Sequence, residues 1–128
     1  MRLGYVILYV PDVAEAVVFY ERAFGIARRF LHESGTYAEM ETGITALAFA
    51  AESLVDANGH AYRPNRPDGP PAGIEVALVT DDVEAAYARA LEAGAAAQHS
   101  PHAKPWGQVV AYVRDLNGCL VEICSPVG

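Results

Sequence analysis

The sequence predicts an α+β fold assembled from two βαβββ modules, and three observations carry that prediction. The first is an internal repeat: segment 6–23, VILYVPDVAEAVVFYERA, resembles segment 76–93, VALVTDDVEAAYARALEA, 70 positions further on. Val6 matches Val76, Leu8 matches Leu78, Asp12 matches Asp82, Val13 matches Val83, Ala16 matches Ala86 and Ala23 matches Ala93. The second is the logic within each copy, a β-rich run, an acidic residue, then an apolar stripe at helical period. The third is the set of three strand-like runs after each helix, punctuated by turn residues.

Each element has a local reason. Residues 5–10 are β-branched and aromatic, so they read as a strand that Pro11 ends. Asp12 then caps a helix, with Glu15 completing a capping box. Val13, Ala16, Val17, Tyr20 and Phe24 form its apolar stripe, and Gly25 supplies the stop. In the second copy the strand covers 75–80, Asp81 and Glu84 form the box, and Val83, Ala86, Tyr87 and Ala90 form the stripe that Gly94 ends. The later strands are expected at 27–33, 37–42 and 45–50, and at 96–100 (the weakest), 108–114 and 119–125. Asn117-Gly118 marks the last turn.

The organisation that results is one domain: module one over 1–51, a linker over 52–73 and module two over 74–128. The linker holds Pro64, Pro67, Pro70, Pro71 and three glycines, with room for a short helical turn at 53–57. Strand parity places Tyr5, Ile7 and Tyr9 on one face of the first strand and Val6, Leu8 and Val10 on the other. Both faces are apolar, so both are expected to be covered. The helix covers one. The other is left for the second module, a partner chain or a ligand cavity.

Composition bounds the function. The chain has 128 residues, 52% hydrophobic and 20% charged, which is long enough for a core and too apolar for disorder. The apolar stretch 3–11 is far short of the roughly 20 residues a bilayer needs, and it makes a poor signal peptide. Nine basic against 16 acidic side chains give a net charge of −7, which argues against nucleic acid. Arg28-Arg29 and Arg63/Arg66 are too few to make a basic face. The balance suits binding of neutral or cationic small molecules. Cys119 and Cys124 fall on one strand about 16 Å apart, too far to bridge. Two unpaired thiols point to a reducing compartment, hence the cytoplasm.

The segments YVILYVPDV (5–13) with Phe19-Tyr20, EVALVTDDVEAA (75–86) and WGQVVAYVRDLNGCLVEI (106–123) resemble the glyoxalase/bleomycin-resistance/extradiol-dioxygenase, or vicinal oxygen chelate, superfamily. The Trp-Gly hairpin, D-x-x-G turn and Glu-bearing last strand are the most specific part, and the resemblance covers essentially the whole chain. It implies two modules forming facing curved mixed sheets around a cavity, and often a homodimer, sometimes with each cavity built from two chains. In metal-dependent members four His, Gln or Glu ligands enter that cavity from the first and last strands of each module. Those positions fall here on Tyr5, Leu47, Glu75 and Glu122. Only Glu75 and Glu122 carry carboxylates, so half of the usual site is missing.

The residues by themselves raise the same two positions. Glu75 and Glu122 interrupt apolar strands, and a carboxylate on a covered face must be paired, hydrogen-bonded or protonated. A divalent cation, a shared proton or a cationic ligand group would each resolve them. The plain alternative for Glu75 is a solvated edge. Trp106 either stacks on a planar or cationic ligand or closes the core from a hairpin. Tyr5, Tyr9, Tyr37 and Tyr112 are candidate cavity hydroxyls, and Leu47 and Phe49 are candidate walls, although β-propensity alone explains tyrosines in strands. His99 and His102 read as a solvated turn around Pro101, and His32 and His60 have no partner in the pattern. There is no nucleophile elbow, phosphate loop or paired C-x-x-C.

Two function classes follow. The first is a small-molecule-binding protein of the bleomycin-resistance type, needing no cofactor, with Glu75 and Glu122 as polar anchors. The second is a glyoxalase-like lyase or isomerase using a divalent metal (Mg, Mn, Zn or Ni) to stabilise an enediolate, with the same carboxylates as ligands or proton carriers. Dioxygenase chemistry ranks third, because its iron wants two histidines and no histidine falls at a ligand position.

Overall fold

The computed structural model describes residues 1–127; Gly128, at the end of the expected second module, lies outside them. The chain divides into two units, Met1–Pro64 and Asn65–Gly128. Each contains a four-stranded mixed sheet, so the protein is α+β.

In the first unit β1 (Tyr5–Val10) leads to α1 (Val13–Phe24), then β2 (Arg28–Leu31), β3 (Tyr37–Met40) and β4 (Ala46–Ala51). The sheet order is β1-β4-β3-β2, with β1 parallel to β4 and the other pairs antiparallel. The short α2 (Glu52–Ala57) follows directly, one residue earlier than the expected turn. The second unit repeats the plan with β5 (Glu75–Val79), α3 (Val83–Glu92), β6 (Ala96–Ala103), β7 (Val109–Arg114) and β8 (Leu120–Cys124), in the order β5-β8-β7-β6.

The helix ends follow local chemistry. The Asp12 side chain accepts from the Glu15 N–H at 3.0 Å, and Gly25 ends α1 in the left-handed region at φ 67°. The Glu15 carboxylate makes no return bond, so the cap is a simple one. In α3 the cap is Asp82, which accepts from the Ala85 N–H at 3.0 Å, and not Asp81. The repeat already pairs Asp82 with Asp12, so equivalent residues cap the helices of both units.

The cores lie between helix and sheet. In the first unit Val13, Ala16, Val17, Phe19, Tyr20 and Ala23 of α1 are buried, as are Leu8, Val10, Ala38, Met40 and all of β4. The Tyr20 and Phe49 rings meet at 5.0 Å between centroids. In the second unit Val83 and Ala90 of α3 are buried with Ala111, Val113, Val121 and Ile123. The Asp115-to-Gly118 turn is built on a buried carboxylate: Asp115 Oδ1 accepts the N–H groups of Asn117 and Cys119, both at 2.9 Å.

On the second face of β1 Tyr5 is 57% and Ile7 44% exposed, while Tyr9 is half-buried against the Tyr62 ring. One expectation changes here. The strand expected to be weakest, at 96–100, extends through Ala103 and takes in Pro101 and His102. It is an edge strand with register shifts on both sides of His99, and at such a place a proline costs no ladder bond.

Phe49→Ala is expected to cost about 3–5 kcal/mol in urea unfolding, the range for truncating a buried aromatic. Asp82→Ala is expected to cost about 1 kcal/mol and Asp81→Ala close to nothing, which the same measurement separates.

Candidate functional site

Pairing register decides which side chains share a face. In the second unit Glu75 is opposite Leu120, which is opposite Arg114. In the next row Ala77, Glu122, Tyr112 and His99 stand side by side across all four strands. The row beyond is Val79, Cys124, Val110 and His102. The alternate residues Val121, Ile123, Ala111 and Val113 are buried on the helix side, and Val110 and Cys124 of the opposite face are buried too. Glu75 and Glu122 therefore lie on the face away from α3, with Tyr112, His99 and His102.

That face carries a defined polar network. The Tyr112 hydroxyl donates to Glu122 Oε1 at 2.8 Å, and the His99 ring meets the Tyr112 ring edge-on at 5.9 Å. The hydrogen bond to Glu122, then burial, pushes the Tyr112 phenol up to about 12, so it remains a donor at neutral pH. Glu75 is exposed and has no hydrogen-bond or ion-pair partner among the described residues. Partial burial of its carboxyl and the neighbouring Glu122 charge raise its pKa, against the weaker pull of Lys104. His102 Nδ1 donates to the Ser100 carbonyl at 2.9 Å, leaving Nε2 as the acceptor nitrogen. Burial pushes the Cys124 thiol up to about 11 and the Cys119 thiol up to about 12, so neither is a nucleophile at neutral pH.

The corresponding face of the first unit is aromatic. Tyr5, Ile7 and Tyr9 pair with Ala46, Ala48 and Ala50, and Tyr37 and Glu39 continue from β3. The Tyr37 hydroxyl donates to Glu39 Oε2 at 2.9 Å, and burial, then that carboxylate, pushes its pKa to about 12. The Tyr62 ring packs edge-on against Tyr9 at 5.2 Å. Arg29 sits beside Glu39 and Glu41, bonded to both.

The residues named from sequence are thus sorted. Glu75, Glu122 and Tyr112 share one face of the second unit, and Tyr5, Tyr9 and Tyr37 share one face of the first. Leu47 and Phe49 do not join them. Leu47 pairs with Val6 and Phe49 with Leu8 on the helix side, and both are buried there. The residue that matches Glu122 by register is Ala48, opposite Ile7 as Glu122 is opposite Ala77. Trp106 does not close the core. It is 62% exposed at the turn between β6 and β7, donating Nε1–H to Gln108 at 2.9 Å, with Lys104 Nζ 5.9 Å from its ring centre. His99 and His102 were missed as face residues because Pro101 disguised an edge strand as a turn; their three-residue spacing across a register shift was the available signal.

Two four-stranded mixed sheets, each packed against a long helix, define a protein of two βαβββ units. The chain belongs to the Glyoxalase/Bleomycin resistance protein/Dioxygenase superfamily, whose model matches residues 2–123. A glyoxalase-related enzyme from Fulvimarina pelagi shares the fold, with TM-score 0.83, 19% identity and coverage of 98% of this chain and 88% of that one. TioX from Micromonospora sp. ML1 is 25% identical at TM-score 0.73, with 98% of both chains covered. A glyoxalase/bleomycin resistance protein/dioxygenase family enzyme from Burkholderia phytofirmans PsJN is 20% identical at TM-score 0.78, again over 98% of both chains. Among curated proteins none matches the chain.

No group of three or more His, Cys, Asp or Glu side chains is arranged to hold a metal among the described residues. No helix among them is long and apolar enough to cross a membrane.

The Glu75 shift has a sign that can be measured. Its folded pKa lies above its unfolded one, so its stabilising contribution is present when it is protonated, below the ordinary carboxyl range, and is lost as pH rises through the folded value. Glu75→Gln removes that loss. The variant is expected to be more stable than the parent at pH 7, by less than about 0.5 kcal/mol because the group is solvated, and the two to converge in acid. Urea unfolding from pH 3 to 8 reads the difference; a parent advantage at pH 7 would contradict the shift.

Proposed function

We propose that this protein binds a small organic molecule carrying an apolar body and a cationic group, in the manner of bleomycin-resistance-type members of its superfamily. The observation that carries the reading is the helix-free face of the second unit, where Glu75 and Glu122 stand with the Tyr112 hydroxyl among the apolar side chains of Ala77, Val79 and Leu120. Apolar side chains supply area, and carboxylates supply orientation and charge selection. Trp106, exposed and already beside a lysine ammonium, is a stacking surface for such a ligand.

The donor set favours this reading over a metal-dependent lyase or isomerase. Of the four positions where metal-dependent relatives carry ligands, register puts Tyr5 and Ala48 on the first unit and Glu75 and Glu122 on the second. Alanine offers no side-chain donor, tyrosine is a rare ligand, and two carboxylates suit at most a hard, water-rich ion. We further propose that the chain works as a homodimer, because Tyr5, Ile7 and Val79 are exposed apolar side chains. Its two free cysteines fit a reducing, cytoplasmic setting.

Isothermal titration with a panel of aromatic amines and their uncharged analogues tests the binding reading. Cationic members are expected to bind at least about tenfold more tightly, the size of one charge-assisted contact, and Glu122→Gln to erase the preference. Equal affinity for the uncharged analogues would overturn it. Equilibrium dialysis against Mg²⁺, Mn²⁺, Zn²⁺ and Ni²⁺ is expected to leave no stoichiometric metal; one tightly held ion, lost in Glu122→Ala, would favour the enzyme. Sedimentation is expected to give a dimer.

A further inference from the structure

The helix-free face of the second unit holds an arginine in a position to neutralise its carboxylates, and that arginine is turned away from them. Arg114 stands in the row Glu75–Leu120–Arg114, two residues along β7 from Tyr112. From there an arginine side chain can reach Glu75 across Leu120, or Glu122 diagonally at a separation of about 7–8 Å. Its guanidinium instead donates to three backbone carbonyls. Nε–H bonds Gly118 O at 3.0 Å, one terminal nitrogen bonds Pro67 O at 3.3 Å, and the other bonds Arg66 O at 3.2 Å.

The far side of the same contact is sealed by a glycine. Gly118 has φ 88°, and a Cβ there would run into the Arg66 carbonyl oxygen and lie 2.6 Å from its carbon. The obstacle is backbone, so a side chain at 118 and the stretch of linker at 66–67 exclude one another. Two separate features, a three-pronged guanidinium and a side-chain-free turn, therefore hold the 66–67 segment against the β7–β8 turn.

We propose that Arg114 and Gly118 form a strap clamp on residues 66–67, and that release of the strap transfers Arg114 to the Glu75/Glu122 carboxylates and closes them to a cationic ligand. The three carbonyls neutralise none of the guanidinium's charge, so an arginine freed from them gains a charged partner by moving. Held, it leaves Glu75 with no cation in contact among the described residues and Glu122 with the Tyr112 hydroxyl. Segment 66–67 thus acts as the gate and Arg114 as its positioning residue. The regulatory meaning rests on the carboxylate face being the binding face; the clamp itself does not.

The test needs no ligand, so its failure is distinguishable from failure of the binding reading. In the full chain, the Glu75 carboxyl is titrated by NMR, and amide order parameters are measured at Arg66 and Asp68. The groups facing Glu75 are Glu122, Tyr112, Cys124 and Lys104, none of which is altered. The parent strap is expected to be rigid, near 0.85, and to fall below about 0.6 in Gly118→Ala, Arg114→Lys and Arg114→Ala. Glu75 is expected to titrate lower than in the parent, by about half a unit or more, in Gly118→Ala and Arg114→Lys, where a cation is freed. In Arg114→Ala it is expected not to fall. A strap that stays rigid in both Arg114 variants would overturn the clamp. A loosened strap with unchanged or raised Glu75 titration in Arg114→Lys would overturn the transfer, whether or not Gly118→Ala folds.

Discussion

Everything distinctive about this protein depends on the long helix, α1 or α3, that packs on one face of each sheet. A βαβββ unit buries the helix side of its strands, and the strand's period of two then puts every second residue on a face the helix cannot reach. In the first unit the helix side takes Leu8, Phe49 and Met40, which are buried. The other side is left with Tyr5, Ile7 and Tyr9. The same division in the second unit leaves Glu75, Glu122 and Tyr112. Which residues join the core is thus a matter of parity, and one residue of slip would exchange the two faces.

That dependence explains what the sequence made legible. The repeat, the helix caps and the glycine stops are local, and they located both helices and the strands to within a few residues. Asp82 rather than Asp81 as the α3 cap is a one-residue ambiguity between adjacent acids, which the repeat resolves. Leu47 and Phe49 failed for a different reason. Their parity depends on how β4 pairs with β1, and counting forward from Gly43 through a turn cannot supply a pairing. Glu122 stands out in the sequence because a lone carboxylate between apolar residues marks its own face, whereas its bond to Tyr112 depends on the β7–β8 register and is not legible there. An alanine such as Ala48 marks nothing. The β6 histidines were hidden by Pro101, which in an interior strand would have been decisive and at an edge is not.

The two units have kept their architecture while diverging in what the free face offers. Register pairs Tyr5 with Ala46 and Ile7 with Ala48 in one unit, Glu75 with Leu120 and Ala77 with Glu122 in the other. One face is aromatic over small residues, with one carboxylate, Glu39, held by Tyr37 and Arg29. The other carries two carboxylates, of which Glu122 is half-buried and held by a phenol that stays protonated, and Glu75 meets water. A half-buried carboxylate with one strong donor is tolerable; two fully buried ones would not be. Exposure of Glu75 to water lowers the cost of holding the two carboxylates near one another.

An organic cation then makes smaller demands on this surface than a metal ion does. A hard ion needs six or more oxygens converging within about 2.0–2.6 Å, and the helix-free face of the second unit offers two carboxylates, Glu75 and Glu122. An ammonium or guanidinium needs two acceptors in loose geometry and an apolar wall for the rest of its molecule. The principal competitor is the protein's own Arg114, which the register places within a side chain's reach of either carboxylate. That three carbonyls occupy it instead is the difference between a surface that neutralises itself and one that keeps negative charge available. The clamp at Gly118 and the acidity at Glu75 are in this sense a single arrangement, with the linker deciding which partner the arginine takes.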